Sequence, residues 1–161
     1  MSRTLTLTLL GISMFLLCPS VFAQTAPPKK KVLLIGQKRD HPPGAHQYMA
    51  GHRVLARCLA EVPGLELKIV QADEPWRGGD ELLKGVDGIV LSLGQGGRWI
   101  QNDPKRLAAI QRLANGDVGI VAIHWAIGAK ADEYVAPYRK IIGGIHGGSD
   151  RKYVISKNQL T

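Results

Sequence analysis

Four of the five histidines in this chain of 161 residues fall where the sequence predicts loops or the starts of helices. His124 directly follows the apolar run Gly119–Ile123, and His41, His46 and His146 lie in segments that contain glycine or proline. An imidazole titrates near neutral pH and ligates metals, so each can serve as a general acid or base or as a ligand. A single histidine is more often a structural hydrogen-bonding residue, whereas four at one edge of a fold predict proton transfer or metal binding.

Strands that alternate with helices are predicted to position these histidines. Runs rich in Val, Ile and Leu predict strands at Lys31–Gly36, Leu65–Val70, Gly88–Leu93, Gly119–Ile123 and Tyr153–Ile155. Helical periodicity is found at His46–Val62, Asp103–Ala114 and Ala131–Ile142, and a short helical turn is predicted at Glu81–Lys84. The alternation predicts an α/β fold, a parallel sheet with helices on both faces and a flavodoxin-like or Rossmann-like topology.

The polarity of two strands predicts their places in the sheet. Leu65–Val70 alternates between apolar and polar residues, so we expect it near an edge of the sheet. Gly119–Ile123 has no polar residue, so we expect it to be covered on both faces. His124 then lies at a sharp strand-to-helix turn, where some α/β enzymes carry their nucleophile.

Loops that follow parallel strands gather at the carboxyl edge of the sheet, where ligands bind in open α/β folds. The first such loop contains Asp40, His41 and His46, the third contains His124 and Trp125, and a later segment adds His146. His52 lies inside a predicted helix and is not a candidate. The loops therefore predict a crevice lined by histidines.

The second loop predicts binding rather than catalysis. It consists of Gly94, Gln95, Gly96 and Gly97, which is neither a dinucleotide-binding fingerprint nor a phosphate-binding P-loop. Backbone amides in such a turn can still bind an oxyanion or sugar hydroxyls. Trp99 and Trp125 follow the third and fourth strands, where each can stack on a sugar ring or plug the end of the sheet.

Imidazoles suit zinc and other transition metals, but the chain has no HExxH motif and no short paired-histidine spacing. A metal would need ligands from separate loops, so the sequence leaves a divalent metal open as the cofactor. A carboxylate pair of the glycosidase type cannot be recognised. Asp40 and Glu74 are candidates by position only.

The amino terminus predicts export. Residues 1–23 combine Arg3, an apolar run from Leu5 to Leu17 and a cleavage site after Ala23, as in a secretory signal peptide. Pro19 interrupts the run before it reaches the length of a membrane anchor, so no stable membrane insertion is expected. Residues 24–30 form a linker before the domain at 31–161. Cleavage leaves Cys58 as the sole cysteine, which we expect to be buried in the first helix.

The composition excludes one class of partner. The chain has a formal net charge of +8 and 45% hydrophobic residues, as expected of a single basic domain with an apolar core. Its basic residues are scattered and do not interleave with aromatic residues, so nucleic-acid binding is not predicted. The sequence leaves open whether the protein forms a homo-oligomer. We expect it to be periplasmic or secreted.

Four segments, taken in this order, resemble the trehalose-utilisation (ThuA-like) family. They are Lys31–Gly36 with the loop His41–His46, Asp87–Leu91 with its glycine loop, Gly119–Trp125, and Gly143–Gly148. The resemblance covers most of residues 31–153 and implies a three-layer sandwich like that of the class I glutamine amidotransferases. It also implies a domain incomplete at its carboxyl terminus, since chains of the family continue with a His-Pro segment and acidic residues.

The resemblance also implies a function. Amidotransferases have a cysteine where this chain and the ThuA-like pattern have His124, so the thiol that a glutaminase needs is missing. A role in disaccharide utilisation follows, with His124 as general acid/base or electrophile, assisted by His41 and His146. The small-molecule carbohydrate would be bound by His46, the Gly94–Gly97 amides and Trp125. The alternative is a non-catalytic module that binds sugar or metal.

Overall fold

The structure is a computed structural model that describes residues 28–149 and 151–152. The predicted signal peptide at residues 1–23 and the predicted strand Tyr153–Ile155 lie outside the described residues. Within the described ranges, no helix combines the length and the apolar character that a bilayer crossing requires.

A parallel sheet of four strands, in the order β2-β1-β3-β4, forms the centre of the fold. The strands are β1 (Lys30–Gly36), β2 (Leu65–Gln71), β3 (Gly88–Ser92) and β4 (Gly119–Ala122). Leu34 of β1 lies opposite Ile69 of β2 and Val90 of β3, and Val90 lies opposite Val121 of β4. The predicted α/β fold is confirmed, and the strand order follows the flavodoxin-like pattern. Within the described residues β2 lies at an edge of the sheet, as expected.

Helices cover both faces of the sheet. They are α1 (Tyr48–Leu59), α2 (Gly79–Leu82), α3 (Gly96–Gln101), α4 (Pro104–Ala114) and α5 (Val135–Ile142). Side chains alternate across β1: Leu33 and Ile35 join the main apolar cluster with Ile110 and Tyr138, whereas the equally buried Leu34 does not. Helix α1 packs on β1, β2 and β3, and α4 packs against α2, α3 and α5, which gives three layers.

The segment after β4 is more irregular than the predicted helix Ala131–Ile142. It contains two short 3₁₀ turns, His124–Ile127 and Asp132–Tyr134, and α5 begins only at Val135. Between them, the two-residue strand β5 (Gly128–Ala129) pairs in parallel with β6 (His146–Gly147). This small sheet holds His146 close to the chain that leaves His124.

Helix α1 is shorter than the predicted His46–Val62 and buries a different face. The sequence carries two overlapping apolar stripes, and the structure buries the one that includes Tyr48 and His52. The other stripe faces outward, with Val54 64% exposed. The prediction that Cys58 is buried is therefore wrong, because Cys58 lies on this exposed stripe.

In the described part of the chain, strand β4 is not covered on both faces. Ile120 and Ala122 pack against the main core, whereas Val121 is 51% exposed and Ile123, just beyond the strand, is 41% exposed. The expectation of full burial is wrong because, among the described residues, β4 pairs with β3 alone and its second face is not covered. An apolar run by itself does not show whether a neighbouring element is present.

Gly96 anchors the packing that supports the carboxyl edge of the sheet. The predicted glycine loop ends early, because α3 begins at Gly96, and both Gly96 and Gly97 are buried. A Cβ on Gly96 would collide with the Ala126 carbonyl group and the Tyr138 hydroxyl group. The same hydroxyl donates a hydrogen bond to the Ala126 carbonyl oxygen at 2.7 Å. The absence of a side chain thus lets α3, the His124 turn and α5 meet.

We expect Gly96→Ala to lower the free energy of unfolding by about 1–3 kcal/mol, because the added methyl group collides with backbone that cannot easily move. Gly51→Ala is the matched control, since Gly51 also lies in a helix but has open space around its Cα. It should stabilise the protein by about 0.5–1 kcal/mol. Urea unfolding of both variants is the measurement, and equal effects would contradict the close-packing argument.

Candidate functional site

The structure brings all four candidate histidines to one cavity at the carboxyl edge of the sheet. The cavity has a volume of about 480 Å³ and is lined by His41, His46, His124, Trp125, Ile127, Lys130 and His146. The ring of His46 lies 3.8 Å from that of His41 and 4.8 Å from that of His124, between ring centroids. The ring of His146 lies 5.9 Å from the Trp125 ring. The volume is within the usual range of small-molecule sites.

The Asp40 carboxylate organises the loop that follows β1. Its Oδ1 lies 2.8 Å from Nδ1 of both His41 and His46, and its Oδ2 accepts a hydrogen bond from the Tyr48 hydroxyl group at 3.1 Å. Burial by itself would raise the pKa of Asp40, but the hydrogen bonds from His41, His46 and Tyr48 together outweigh it and lower the pKa. Asp40 is therefore ionised at neutral pH.

An ionised carboxylate only accepts hydrogen bonds, so the Nδ1 atoms of His41 and His46 are the donors toward Asp40. Each neutral ring then carries its lone pair on Nε2. A lone pair fixed in this way suits a general base or a metal ligand. Asp40 thus selects the tautomer of two of the predicted site residues.

Tyr48 is a site residue that the sequence analysis missed. Burial, together with the charge of the neighbouring Asp40, raises the pKa of its hydroxyl group, so Tyr48 stays protonated and donates. It also lines a smaller cavity beside His46, Ser92 and His124. Tyr48 lies in the first turn of the helix that follows the loop of Asp40 and His41, and this position was the feature of the sequence that could have identified it as a site residue.

Three residues at the carboxyl edge adopt the left-handed conformation that favours glycine. They are His46, Gln95 and His124, with φ angles of 48°, 50° and 56°, and the described part of the chain has no other non-glycine residue with positive φ. The conformation costs about 1–2 kcal/mol per residue and persists where packing enforces it, often at functional sites. Ile123 is extended and His124 begins a 3₁₀ turn, so the predicted sharp turn at His124 is present.

The predicted binding loop divides into two parts. Gly94 and Gln95 line a second cavity, and both are held by polar contacts. The Gly94 amide donates to Gln37 Oε1 at 3.2 Å, and Gln95 Oε1 accepts from the Lys130 amide at 3.3 Å. Gly96 and Gly97 line neither this cavity nor the first, because they are buried at the start of α3.

The second cavity, of about 380 Å³, adjoins the first and is more polar. It shares His41, Trp125 and Lys130 with the first cavity, and Glu74 and Arg98 are among its other lining residues. Trp125 is half-buried between the two cavities and is thus available to a ligand in either. The two spaces form one continuous candidate site.

Trp99 and Glu74 belong to the wall of the second cavity. The Trp99 side chain is buried, and its Nε1 donates to the Ala72 carbonyl oxygen at 3.2 Å, so this tryptophan closes the end of the sheet. The guanidinium group of the buried Arg106 lies 4.2 Å above the Trp99 ring. Arg106 Nη2 also donates to Glu74 Oε1 at 2.6 Å, which fixes the Glu74 carboxylate.

Asp40, His41 and His46 can also hold a metal ion. Each offers one ligand atom, and these atoms all lie within 4.8 Å of one another. Imidazole nitrogen with a carboxylate oxygen is a donor set that suits zinc and related divalent metals. The sequence predicts that His41 and His146 assist His124. The ligand cluster includes His41 but not His146.

No protein family, curated protein sequence or solved structure gives a match to this chain. The class of molecule that the fold and the site define is an α/β protein with a histidine-lined cavity at the carboxyl edge of a parallel sheet. The resemblance to the ThuA-like family stays a prediction.

The left-handed backbone conformation of His124 should affect the stability of variants at this position. We expect His124→Gly to be about 1 kcal/mol more stable than His124→Ala, since only glycine adopts a φ of 56° without steric cost. Gln111, exposed within α4, supplies the control pair. There the alanine variant should be the more stable, by about 1 kcal/mol. Denaturant unfolding of all four variants tests this, and a common sign at both positions would contradict it.

Proposed function

We propose that this chain is an exported ThuA-like domain protein that acts on a small carbohydrate in the cavity lined by the four histidines. The observation that carries the proposal is the convergence of His41, His46, His124 and His146 on one cavity beside Trp125. The resemblance in the sequence supports the substrate class and the predicted signal peptide supports export. The missing cysteine at the position of His124 argues against a glutaminase.

His124 is the residue best suited to proton transfer. It is solvent-exposed at the turn after β4, and its ring lies 4.8 Å from that of His46, between centroids. Asp40 holds His46 with its Nε2 lone pair free, so His46 can accept a proton or orient a substrate hydroxyl group. The two imidazoles can therefore divide the roles of acid and base.

Trp125 and Lys130 suit the binding of the sugar. An aromatic ring on the cavity wall packs well against the apolar face of a sugar ring, and Trp125 lies at the junction of the two cavities. The Lys130 amide is held by Gln95, which keeps this part of the wall in place. Substrate binding thus involves residues other than the proposed proton-transfer group.

The test is turnover of a panel of disaccharides (trehalose, maltose, cellobiose and lactose), followed by NMR, with thermal stability as the binding readout. The wild-type protein should be stabilised by at least one sugar and should convert it. His124→Gly should lose turnover by at least about 100-fold, as expected for removal of a general acid or base. Its folded state is not penalised at φ 56°, so unfolding would not explain the loss.

Trp125→Ala should instead weaken binding. Full turnover in His124→Gly would contradict the proposed role of His124. Sugar binding without turnover in the wild-type protein, weakened by Trp125→Ala, would favour the non-catalytic sugar-binding module.

The ligand cluster of Asp40, His41 and His46 favours one second candidate, a metal-binding site. In this case the two imidazoles would bind the ion, and Asp40 would either join them or orient them through their Nδ1 atoms. A bound divalent cation would supply Lewis-acid character to the cavity. The acid–base role of His124 does not depend on this candidate.

We expect the purified protein, after incubation with Zn²⁺ and dialysis, to retain about one equivalent of zinc, measured by mass spectrometry, and to lose thermal stability with chelator. His46→Ala should abolish retention. His146→Gln is the matched control, since His146 lines the same cavity outside the cluster. No retained zinc in the wild-type protein, or equal loss in both variants, would reject this cluster as the metal site.

A further inference from the structure

We propose that the carbohydrate carries an anionic group, a carboxylate or a phosphate, which is bound by Lys130 and Arg98 where the two cavities join. This inference rests on the proposed function, because it assumes that a sugar occupies the histidine-lined cavity. It adds the chemical class of the sugar, which neither the fold nor the histidines specify.

The acidic side chains that line the two cavities already have partners. Asp40 accepts hydrogen bonds from His41, His46 and Tyr48. Glu74 forms an ion pair at 2.6 Å with Arg106, whose side chain is only 3% exposed and is held there over the Trp99 ring. Both carboxylates thus already accept hydrogen bonds from the protein, and the charge of Glu74 is neutralised by Arg106.

The basic side chains of the same site have no such partners. Lys130 lines both cavities and Arg98 lines the second, and in the described part of the chain neither forms an ion pair with a carboxylate. Together with Arg106, which pairs with Glu74, the site has three basic side chains and two acidic ones, so its surplus charge is positive.

An anionic sugar uses this surplus better than a neutral one. Hydrogen bonds from an ammonium or guanidinium group to a carboxylate or phosphate are about twice as strong as those between neutral groups. The remaining polar residues of the second cavity, such as Gln37 and Asn102, are uncharged and do not compete for an anion. The net charge of +8 also favours the approach of anions.

The test compares D-glucuronate with D-glucose, which differ only at carbon 6, together with D-glucose 6-phosphate and inorganic phosphate, by titration calorimetry on the purified protein. We expect at least one acidic sugar to bind about tenfold more tightly than glucose, and this preference to shrink at high salt concentration. Lys130→Gln and Arg98→Gln should each remove most of the preference. Lys68→Gln, which removes the same charge on the exposed side of β2, should leave it unchanged.

Equal affinity for glucose and both acidic sugars would overturn this inference and leave the proposed function standing. Inorganic phosphate that binds as tightly as glucose 6-phosphate would also overturn it, because the sugar would then contribute nothing. Equal effects of Lys130→Gln and Lys68→Gln would show that only overall charge matters, against a bound anion at this place. Failure of these sugars and of the four disaccharides to bind would, by contrast, refute the proposed function itself.

Discussion

The hydrogen bonds accepted by the Asp40 carboxylate are the interaction on which the rest of the site depends. The segment between β1 and α1 has no regular structure of its own, and Asp40 ties it together through His41, His46 and Tyr48. The Tyr48 contact also links this loop to α1 and so to the face of the helix that is buried. Because the carboxylate is ionised, it fixes two imidazole tautomers as well as their positions.

The second requirement is the packing beneath the strand ends. Three non-glycine residues, among them Gln95 and His124, adopt a left-handed backbone conformation that an isolated chain would avoid. Gly96 packs closely against Ala126, and the Tyr138 hydroxyl group donates a hydrogen bond to the Ala126 carbonyl oxygen. These contacts hold the turn at Gln95 and the turn at His124 against each other. Rigid support of this kind is what a site needs if imidazoles are to meet a substrate at a defined geometry.

Charge then distinguishes the two cavities within the site. The imidazoles line the first, while the second has a paired carboxylate at Glu74 and, at Arg98, a cation with no carboxylate partner among the described residues. Lys130 lies where they join, and its backbone is held by Gln95. Proton transfer and recognition of a substrate's charged group can thus occur side by side on one ligand.

The sequence by itself determined the kinds of elements and the edge at which the candidate residues meet. Period and composition specify strands and helices locally, and parallel strands necessarily place the loops of His41 and His124 on one side. Tertiary structure alone decided which apolar stripe of α1 is buried, so the prediction that Cys58 is buried is wrong. It also decided that Asp40 is a shared acceptor and that Val121, in β4, is half exposed. These outcomes depend on contacts between residues distant in sequence, which local patterns do not encode.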